Sequence, residues 1–186
     1  MKKVMTIFGT RPEAIKMAPL IKTLEKDSDL EPVVVVTAQH REMLDSVLNT
    51  FNISADYDLN IMKAGQTLSE VTSEAMKKLE DIIQKEVPDM VLVHGDTVTT
   101  FSGALAAFYS QTPIGHVEAG LRSYNKYSPY PEEINRQMVG VMADLHFAPT
   151  YNAAQNLVKE GKLAKNIAIT GNTAIDAMNY TIDHQY

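Results

Sequence analysis

Residues 4–24 read VMTIFGTRPEAIKMAPLIKTL, and this stretch decides the fold class. A short run of β-favouring, mostly apolar residues ends at Gly9. The apolar residues that follow repeat at helical spacing: Met17, Leu20, Ile21 and Leu24. The stretch therefore predicts a strand, a glycine turn and an amphipathic helix, which is the opening of a βαβ unit.

The same alternation of short strands and longer helices continues along the chain. Beside 4–8, we predict strands at 32–37, 90–94, 114–117, 145–148 and 167–169. Several of these runs are continuously apolar, as in parallel strands that helices cover on both faces. The pattern predicts one α/β domain over residues 1–186, with a doubly wound, Rossmann-like parallel sheet whose strand order stays open.

Prolines mark several predicted boundaries. Pro12 and Pro131 stand where the first turn of a helix accepts proline. Pro19 lies inside a helical pattern, where we expect it to kink or restart the helix.

Composition argues against several classes of function. The formal net charge is -6, and Lys and Arg are spread along the chain, so no nucleic-acid partner is expected. The chain has no cysteine and no histidine pair at metal-ligand spacing, so no metal site is predicted. No run approaches the ~18–20 apolar residues of a membrane span, and no signal peptide is evident. We expect a cytoplasmic protein with no membrane partner.

Glycine and polar residues follow four of the predicted strands. The four segments are GTRPE (9–13), HGDT (94–97), EAGLR (118–122) and TGNT (170–173). Ligands of doubly wound sheets bind beyond the carboxyl ends of the strands. The convergence of these segments therefore predicts a binding crevice at that edge.

The first of these segments suggests phosphate binding. Gly9 at a strand-to-helix turn would let backbone amides approach a phosphate, and Arg11 would add a charged contact. The alternative is a plain turn with a solvated arginine. The G-x-G-x-x-G and P-loop patterns are absent, so neither NAD nor ATP is favoured and no cofactor is predicted.

Three carboxylates are candidates for proton transfer. Asp96 and Glu118 follow buried strands, where partial desolvation suits an acid or base near neutral pH. Asp96 has an alternative role as the cap of a helix starting near Thr97. Glu132 falls in the first turn of a helix, with Arg136 four residues later, and the alternative for this pair is a surface ion pair.

The histidines are assigned mainly to structure. His94, His116 and His146 lie in or beside strands, which favours hydrogen-bonded core or supporting histidines over ligands. His40 lies in a loop that opens a helix and is able to face the crevice.

Several longer motifs then resemble those of the non-hydrolysing UDP-N-acetylglucosamine 2-epimerases. They are FGTRPEAIKMAP (8–19), TAQHREM (37–43), VHGDT (93–97), GHVEAGLRS (115–123), SPYPEEINRQ (128–137), LHFAPT (145–150) and TGNTAID (170–176). They occur in family order along nearly the whole chain. The resemblance implies the N-terminal half of a two-domain GT-B fold, with a tail from about residue 173 leading toward a second domain.

The family resemblance also implies an activity. Family members interconvert UDP-N-acetylglucosamine and UDP-N-acetylmannosamine by eliminating UDP and adding it back through a 2-acetamidoglucal, for cell-envelope or capsule polysaccharides. They are usually homodimers and use no cofactor. The chain alone, without the second domain, is expected to turn over slowly or not at all.

Residue roles follow from the matching positions. The resemblance implies catalytic roles for Asp96, Glu118 and Glu132. Substrate binding is assigned to Gly9, Arg11, Lys16, His94 and Arg136. A regulatory site for a second substrate molecule is implied at Gln39, Glu42 and Glu132. However, Glu42 stands where the family commonly has glutamine, and Gly65 stands where it has arginine.

Three rival functions stay open. A hydrolysing relative would release UDP and free N-acetylmannosamine. A non-catalytic nucleotide-sugar-binding module would keep the fold without turnover. A glycosyltransferase of similar fold would need an acceptor.

Overall fold

The computed structural model describes residues 1–37, 41–63 and 65–180, with the side chains of residues 41 and 42 left out. The described strands are β1 (Lys2–Phe8), β2 (Leu30–Val36), β3 (Tyr57–Asp58), β4 (Met90–His94), β5 (Ile114–Val117), β6 (Leu145–Ala148) and β7 (Ile167–Ile169). The helices are α1 (Arg11–Leu24), α2 (Arg41–Thr50), α3 (Leu68–Glu86), α4 (Val98–Tyr109), α5 (Glu132–Met142), α6 (Tyr151–Lys159) and α7 (Thr173–Met178). A short 3₁₀ turn covers Ala164–Asn166.

All strands run parallel in the order β3-β2-β1-β4-β5-β6-β7. The order reverses between β1 and β4, which is the switch point of a Rossmann-like sheet. The predicted doubly wound α/β fold is confirmed, as are the six predicted strands. The sequence prediction missed β3, because this edge strand has two residues and no apolar run.

Two cores cover the two faces of the sheet, because alternate strand residues point to opposite sides. In β1, Phe8 faces the core beneath α1 and α2, together with Met17 and Ile21. Its neighbour Ile7 faces the core beneath α3 and α4, together with Leu79. Burial on both faces fixes the orientation of β1, and with it the turn that leads into α1.

The helix boundaries agree with the prolines in two cases out of three. Pro12 lies in the first turn of α1, and Pro131 is the residue directly before the first turn of α5. The expectation that Pro19 restarts its helix is wrong, because α1 continues through it to Leu24. Pro19 is buried, and it lines the groove between α1 and α7 together with Leu20 and Thr173.

The end of the described chain packs on the beginning. Helix α7 lies against α1, and Ala177 is buried in the core that α1 covers. Among the helices that the structure describes, none has the length and apolar character needed to cross a membrane.

Candidate active site

The carboxyl ends of β1, β4 and β5 lie side by side at the switch point. The segments 9–13, 94–97 and 118–122 begin at these three ends, as predicted for a crevice. The fourth segment, 170–173, follows β7 at the far edge of the sheet. Three of the four predicted segments are therefore brought together at the switch point.

Lys16 and Glu118 form an ion pair at this point. The distance from Lys16 Nζ to Glu118 Oε2 is 2.5 Å, and the two side chains are 23% and 16% exposed. Lys16 comes from α1 and Glu118 directly follows β5. Electrostatic attraction is stronger in such partly dry surroundings than at an open surface. The pair therefore places a cation beside one of the candidate carboxylates.

The backbone at Glu118 is in the left-handed region, with φ 63°. Residues with side chains rarely adopt this conformation, and it recurs at functional sites where the surroundings hold it in place. Two residues later, the Gly120 carbonyl accepts a hydrogen bond of 3.1 Å from Asn156 Nδ2 on α6. The turn that presents the carboxylate is thus anchored to a helix.

His94, the last residue of β4, lies next to the ion pair. Its Nε2 is 3.9 Å from Glu118 Oε2, and the residue is 3% exposed. Burial, followed by the positive charge of Lys16, lowers the pKa of His94 to about 3, so the ring is neutral near pH 7. The expected core placement of His94 is confirmed, but the expected hydrogen bonding is not, since neither ring nitrogen has a hydrogen-bond partner among the described residues.

Asp96 contacts a second cation, Arg136, through Oδ2 and Nη2. The backbone carbonyl of Asp96 also accepts a 2.9 Å hydrogen bond from Asn135 Nδ2. Burial raises the pKa of Asp96, and the charges of Glu118 and Glu132 add to this, whereas Arg136 acts in the opposite direction. Asp96 therefore has a charge state sensitive to its neighbours, as expected of an acid or base.

The alternative role of Asp96 as a helix cap is wrong. Thr97 is the N-cap of α4, and its side chain accepts a hydrogen bond from the amide of Thr100 at 3.1 Å. The Asp96 side chain does not cap the helix and forms an ion pair with Arg136 instead.

The structure also separates Glu132 from Arg136. Arg136 pairs with Asp96, and its Nη1 lies 3.5 Å from Glu133 Oε2, so the predicted alternative of a surface pair with Glu132 is wrong. Glu132 is partly buried at the start of α5, near enough to Asp96 to affect its pKa.

Sequence reasoning missed Glu133, a fully buried carboxylate. It accepts hydrogen bonds from the amides of Ser123 and Tyr124, both at 3.0 Å, and from Gln137 Nε2 at 2.8 Å. Although burial acts to raise it, these hydrogen bonds hold the pKa of Glu133 below its ordinary value. Glu133 thus ties the loop after β5 to the helix that carries Arg136.

The predicted use of the Gly9 amide is corrected. It donates to Glu13 Oε2 at 2.9 Å, so it is not free for a phosphate. Glycine is required there for space, since a Cβ would lie 2.0 Å from Thr37 Oγ1 and 2.7 Å from Thr99 Oγ1. The Glu13 carboxylate, four residues away, is the acceptor for this amide.

Arg11 is exposed at the start of α1 and lines a cavity of about 280 Å³ between α1, α2 and α7. Phe51 and Ala177 contribute apolar walls to the same cavity. No contact between Arg11 and either ion pair, Lys16–Glu118 or Arg136–Asp96, is found among the described residues.

Of the remaining buried histidines, His116 contacts the turn that carries Asp96. His116 Nε2 is 2.7 Å from the carbonyl of Gly95, and the neutral ring donates there. This bond fixes the turn that leads into Asp96. Burial lowers the pKa of His116 to about 3 and that of His146, its neighbour on β6, to about 4. Their predicted placement in the core is confirmed.

Several predicted residues fall outside this description. Gln39 and His40 lie outside the described residues, as does the side chain of Glu42. Gly65 has φ 79°, a conformation that favours glycine over the arginine expected from the family. Over residues 1–37, 41–63 and 65–180, no cluster of three histidines or carboxylates is placed to hold a metal ion.

The crevice thus combines two carboxylates paired with cations and a third carboxylate close by. Glu118 is paired with Lys16, Asp96 with Arg136, and Glu132 lies close to Asp96. Carboxylates are able to accept and donate protons in a reaction, and fixed cations stabilise negative charge that develops during it.

Comparisons with known proteins identify the family of this chain. Residues 22–186 match the family model for UDP-N-acetylglucosamine 2-epimerase. A UDP-N-acetylglucosamine 2-epimerase of Bacillus subtilis is 62% identical over 184 residues, which cover 99% of this chain and 48% of that protein.

Solved structures give the same result. The S. aureus MnaA–UDP co-structure has a TM-score of 0.97 and 72% identity, covering 100% of this chain and 49% of that one. The UDP-GlcNAc 2-epimerase of Neisseria meningitidis bound to UDP-GlcNAc has a TM-score of 0.94 and 55% identity, covering 96% and 48%. The chain spans about half the length of the curated relatives it matches. On the family match and these identities, this chain belongs to the UDP-N-acetylglucosamine 2-epimerase family.

Proposed function

We propose that this chain supplies the proton-transfer half of a non-hydrolysing epimerase, which interconverts UDP-N-acetylglucosamine and UDP-N-acetylmannosamine. The observation that carries the proposal is the pairing of Glu118 with Lys16 and of Asp96 with Arg136 at the switch point of the sheet. The UDP-GlcNAc-bound relative from N. meningitidis supports the choice of substrate.

The chemistry requires groups of both kinds. A base removes the C2 proton, the bond from C1 to the diphosphate oxygen breaks, and UDP leaves as an anion from a 2-acetamidoglucal. UDP then adds back at C1 while a proton is delivered to the opposite face of C2. Carboxylates serve the two proton transfers, and cations stabilise the leaving anion.

Within this scheme, Asp96, Glu118 and Glu132 are the catalytic carboxylates. Lys16 and Arg136 orient Glu118 and Asp96 and provide positive charge. Arg11, exposed at the start of α1, is available for the diphosphate, while Gly9 and His94 line the crevice without a free amide or a charged ring.

The active site is completed by a second domain in this proposal. Residues 1–186 form the N-terminal, Rossmann-like catalytic domain of a GT-B architecture, and the segment from about residue 173 leads toward the second domain. The half-length match to the relatives supports this division. Residues 1–186 alone are expected to show little or no turnover.

The complete protein is further proposed to be a cytoplasmic homodimer that serves cell-envelope or capsule polysaccharide synthesis. A partly apolar surface on α3 and α4 supports an interface, since Leu68, Phe108 and Tyr109 are 43%, 55% and 59% exposed. Light scattering of the complete gene product gives the mass that tests the dimer; a monomer would contradict it.

The regulatory proposal places a second UDP-N-acetylglucosamine near Gln39 and Glu42. Substrate activation would appear as a sigmoidal rate curve in the wild-type protein, and Gln39→Ala would make the curve hyperbolic. A hyperbolic wild-type curve would contradict the proposal.

The main test is incubation of the complete gene product with UDP-N-acetylglucosamine in D₂O, followed by proton NMR. We expect both UDP-sugars, with deuterium at C2. Free N-acetylmannosamine accumulating with UDP would identify a hydrolysing enzyme instead. Folded protein that gives neither exchange nor epimer would leave only a binding role.

Amide variants assign the carboxylates. Asp96→Asn and Glu118→Gln keep the shape of each side chain but remove its ability to take up a proton, so turnover should fall by roughly 10²–10⁴-fold. The matched control is Glu70→Gln, which changes a carboxylate on α3 at the exposed cap of that helix. Unchanged turnover in both site variants would favour the non-catalytic module.

A further inference from the structure

A buried carboxylate, Glu13, occupies a special place at the switch point. In doubly wound sheets, the pyrophosphate of a bound nucleotide commonly lies on the amides of the first strand-to-helix turn, at the N-terminus of the following helix. In this chain that turn runs from Gly9 to Glu13, between β1 and α1.

Three amides of this turn, those of Gly9, Thr10 and Glu13, are already engaged inside the chain. Glu13 Oε2 accepts hydrogen bonds from the amides of Gly9 at 2.9 Å and Thr10 at 2.7 Å. Pro12 has no N–H, and the amide of Ala14 bonds to the Thr10 carbonyl at 3.0 Å. A carboxylate of the chain therefore sits where an external phosphate would otherwise find its donors.

The second oxygen of Glu13 reaches another helix. Oε1 accepts hydrogen bonds from the hydroxyls of Thr97 at 2.7 Å and Thr100 at 3.1 Å, in the first turn of α4. An ordinary capping box joins the residues of one helix end. Here one carboxylate joins the ends of two helices across the point where the strand order reverses.

The Glu13 hydrogen bonds connect segments that also carry members of the two ion pairs of the site. Lys16 follows Glu13 by three residues on α1, and Asp96 immediately precedes Thr97. A change in the position of either helix end would therefore move a cation or a carboxylate. This consequence for the reaction rests on the proposed function, whereas the engagement of the amides does not.

We propose that Glu13 is a positioning residue whose buried carboxylate fills the anion position at the N-terminus of α1. It excludes the diphosphate of the substrate from the Gly9 and Thr10 amides and fixes the spacing between Lys16 and Asp96. The diphosphate must then be held by side chains such as that of Arg11 and by groups outside this turn.

The test on residues 1–186 needs no turnover. In Glu13→Ala the two amides lose their acceptor, so the melting temperature should fall by about 10 °C. Sodium formate, whose carboxylate matches the missing one, should recover several degrees beyond sodium chloride at the same ionic strength. Glu13→Gln, which keeps one acceptor oxygen for the amides, should melt near the wild type and show no formate effect.

Two outcomes would overturn the proposal. One is a Glu13→Ala variant that melts like the wild type, and the other is a formate effect no larger than that of chloride. If Glu13→Ala does not fold, the proposal is tested on the wild-type chain by ¹⁵N NMR, with inorganic pyrophosphate added as the probe. The Gly9 and Thr10 amide resonances should stay in place, and saturable shifts of both would show that the amides bind the anion.

Failure of the proposed function is a separate result. In the complete gene product, Glu13→Gln should keep kcat within about threefold, while Glu13→Ala should lose kcat at least tenfold and regain part of it with formate. If the wild-type product shows no epimerisation, the melting and NMR experiments still decide the role of Glu13.

Discussion

The ammonium group of Lys16 lies 2.5 Å from a carboxylate oxygen of Glu118, a residue 102 positions further along the chain. The pair joins the first helix of the fold to the end of β5, and both side chains are mostly buried. The tertiary fold therefore brings the two charges together. Removing the positive charge of Lys16 should lower the reaction rate more than it lowers the free energy of unfolding.

Replacing Lys16 by methionine should lower kcat of the complete gene product by roughly 10²–10³-fold, because one preorganised cation is lost. The matched control is Lys22→Met on the same helix, which also breaks an ion pair, with Glu25 at 2.8 Å. Lys22 lies away from the crevice, so its variant should keep kcat within about twofold. Equal losses in both variants would make the Lys16 effect structural.

The same substitution should change the titration of His94. Burial and then the charge of Lys16 lower the pKa of His94 to about 3. Loss of the cation should raise this pKa, while burial keeps it below the ordinary value. Proton NMR of the His94 ring in Lys16→Met follows the change, and an unchanged titration would mean that the two groups do not interact.

Arg136 should control the charge state of Asp96. Burial raises the pKa of Asp96 and Arg136 opposes the rise, so Arg136→Met should raise it further. Carbon NMR of the Asp96 carboxyl group in residues 1–186 measures this directly. Lys77→Met, a change of an exposed cation on α3, is the control and should leave the Asp96 titration in place. A lower pKa in Arg136→Met would contradict the assigned ion pair.

The fold and part of the site were predictable because they depend on local patterns. Apolar runs of strand length predicted six strands, and the rule for strand ends predicted that Asp96 and Glu118 lie together. Both carboxylates follow strands that meet at the switch point, so their positions depend on the sheet alone.

The role of Glu13 was missed because two of its partners, Thr97 and Thr100, are distant in the sequence. Glu13 bonds to Thr97, 84 positions away, and no pattern in residues 9–13 indicates that contact. The sequence did indicate the contact of Glu13 within its own helix end, since Thr10 and Glu13 have the spacing of a capping box. The Gly9 amide was assigned to a phosphate because a glycine turn alone does not reveal an internal acceptor.

Buried histidines should make the fold sensitive to acid. His116 has a pKa of about 3 and His146 of about 4 in the folded chain, both lowered chiefly by burial. Below their unfolded pKa of about 6.5, the unfolded chain binds protons that the folded chain does not. Stability should therefore be highest above that pH and fall as the pH drops toward 4, by up to about 1.4 kcal/mol per pH unit for each histidine.

Urea unfolding of residues 1–186 between about pH 4 and pH 7.5 measures this slope. His146→Leu removes one titrating group and keeps an apolar side chain in the core, so its slope should be shallower than that of the wild type. An equally steep slope in His146→Leu would show that this histidine does not titrate between the two states.

Two glycines with similar backbones provide the last prediction. Gly120 has φ 88° and Gly161 has φ 83°, but a Cβ on Gly120 would lie 2.2 Å from the Ala153 carbonyl oxygen, whereas nothing lies within 4 Å of one on Gly161. Gly161→Ala should cost about 1–2 kcal/mol for the left-handed conformation alone. Gly120→Ala should cost at least about 2 kcal/mol more, because backbone atoms must move apart.

Both variants lose stability because alanine disfavours the left-handed conformation. The difference between their unfolding free energies therefore measures the close contact with Ala153 alone. Because Gly120 follows Glu118 by two residues and is bonded to α6, the same clash should move the Glu118 carboxylate away from Lys16. Gly120→Ala should thus lower kcat of the complete gene product at temperatures where it is still folded, whereas Gly161→Ala should not. Equal unfolding free energies of the two variants in urea would mean that α6 moves away from the added methyl group without a loss of stability. The position of Glu118 would then not depend on the hydrogen bond from Asn156 to Gly120.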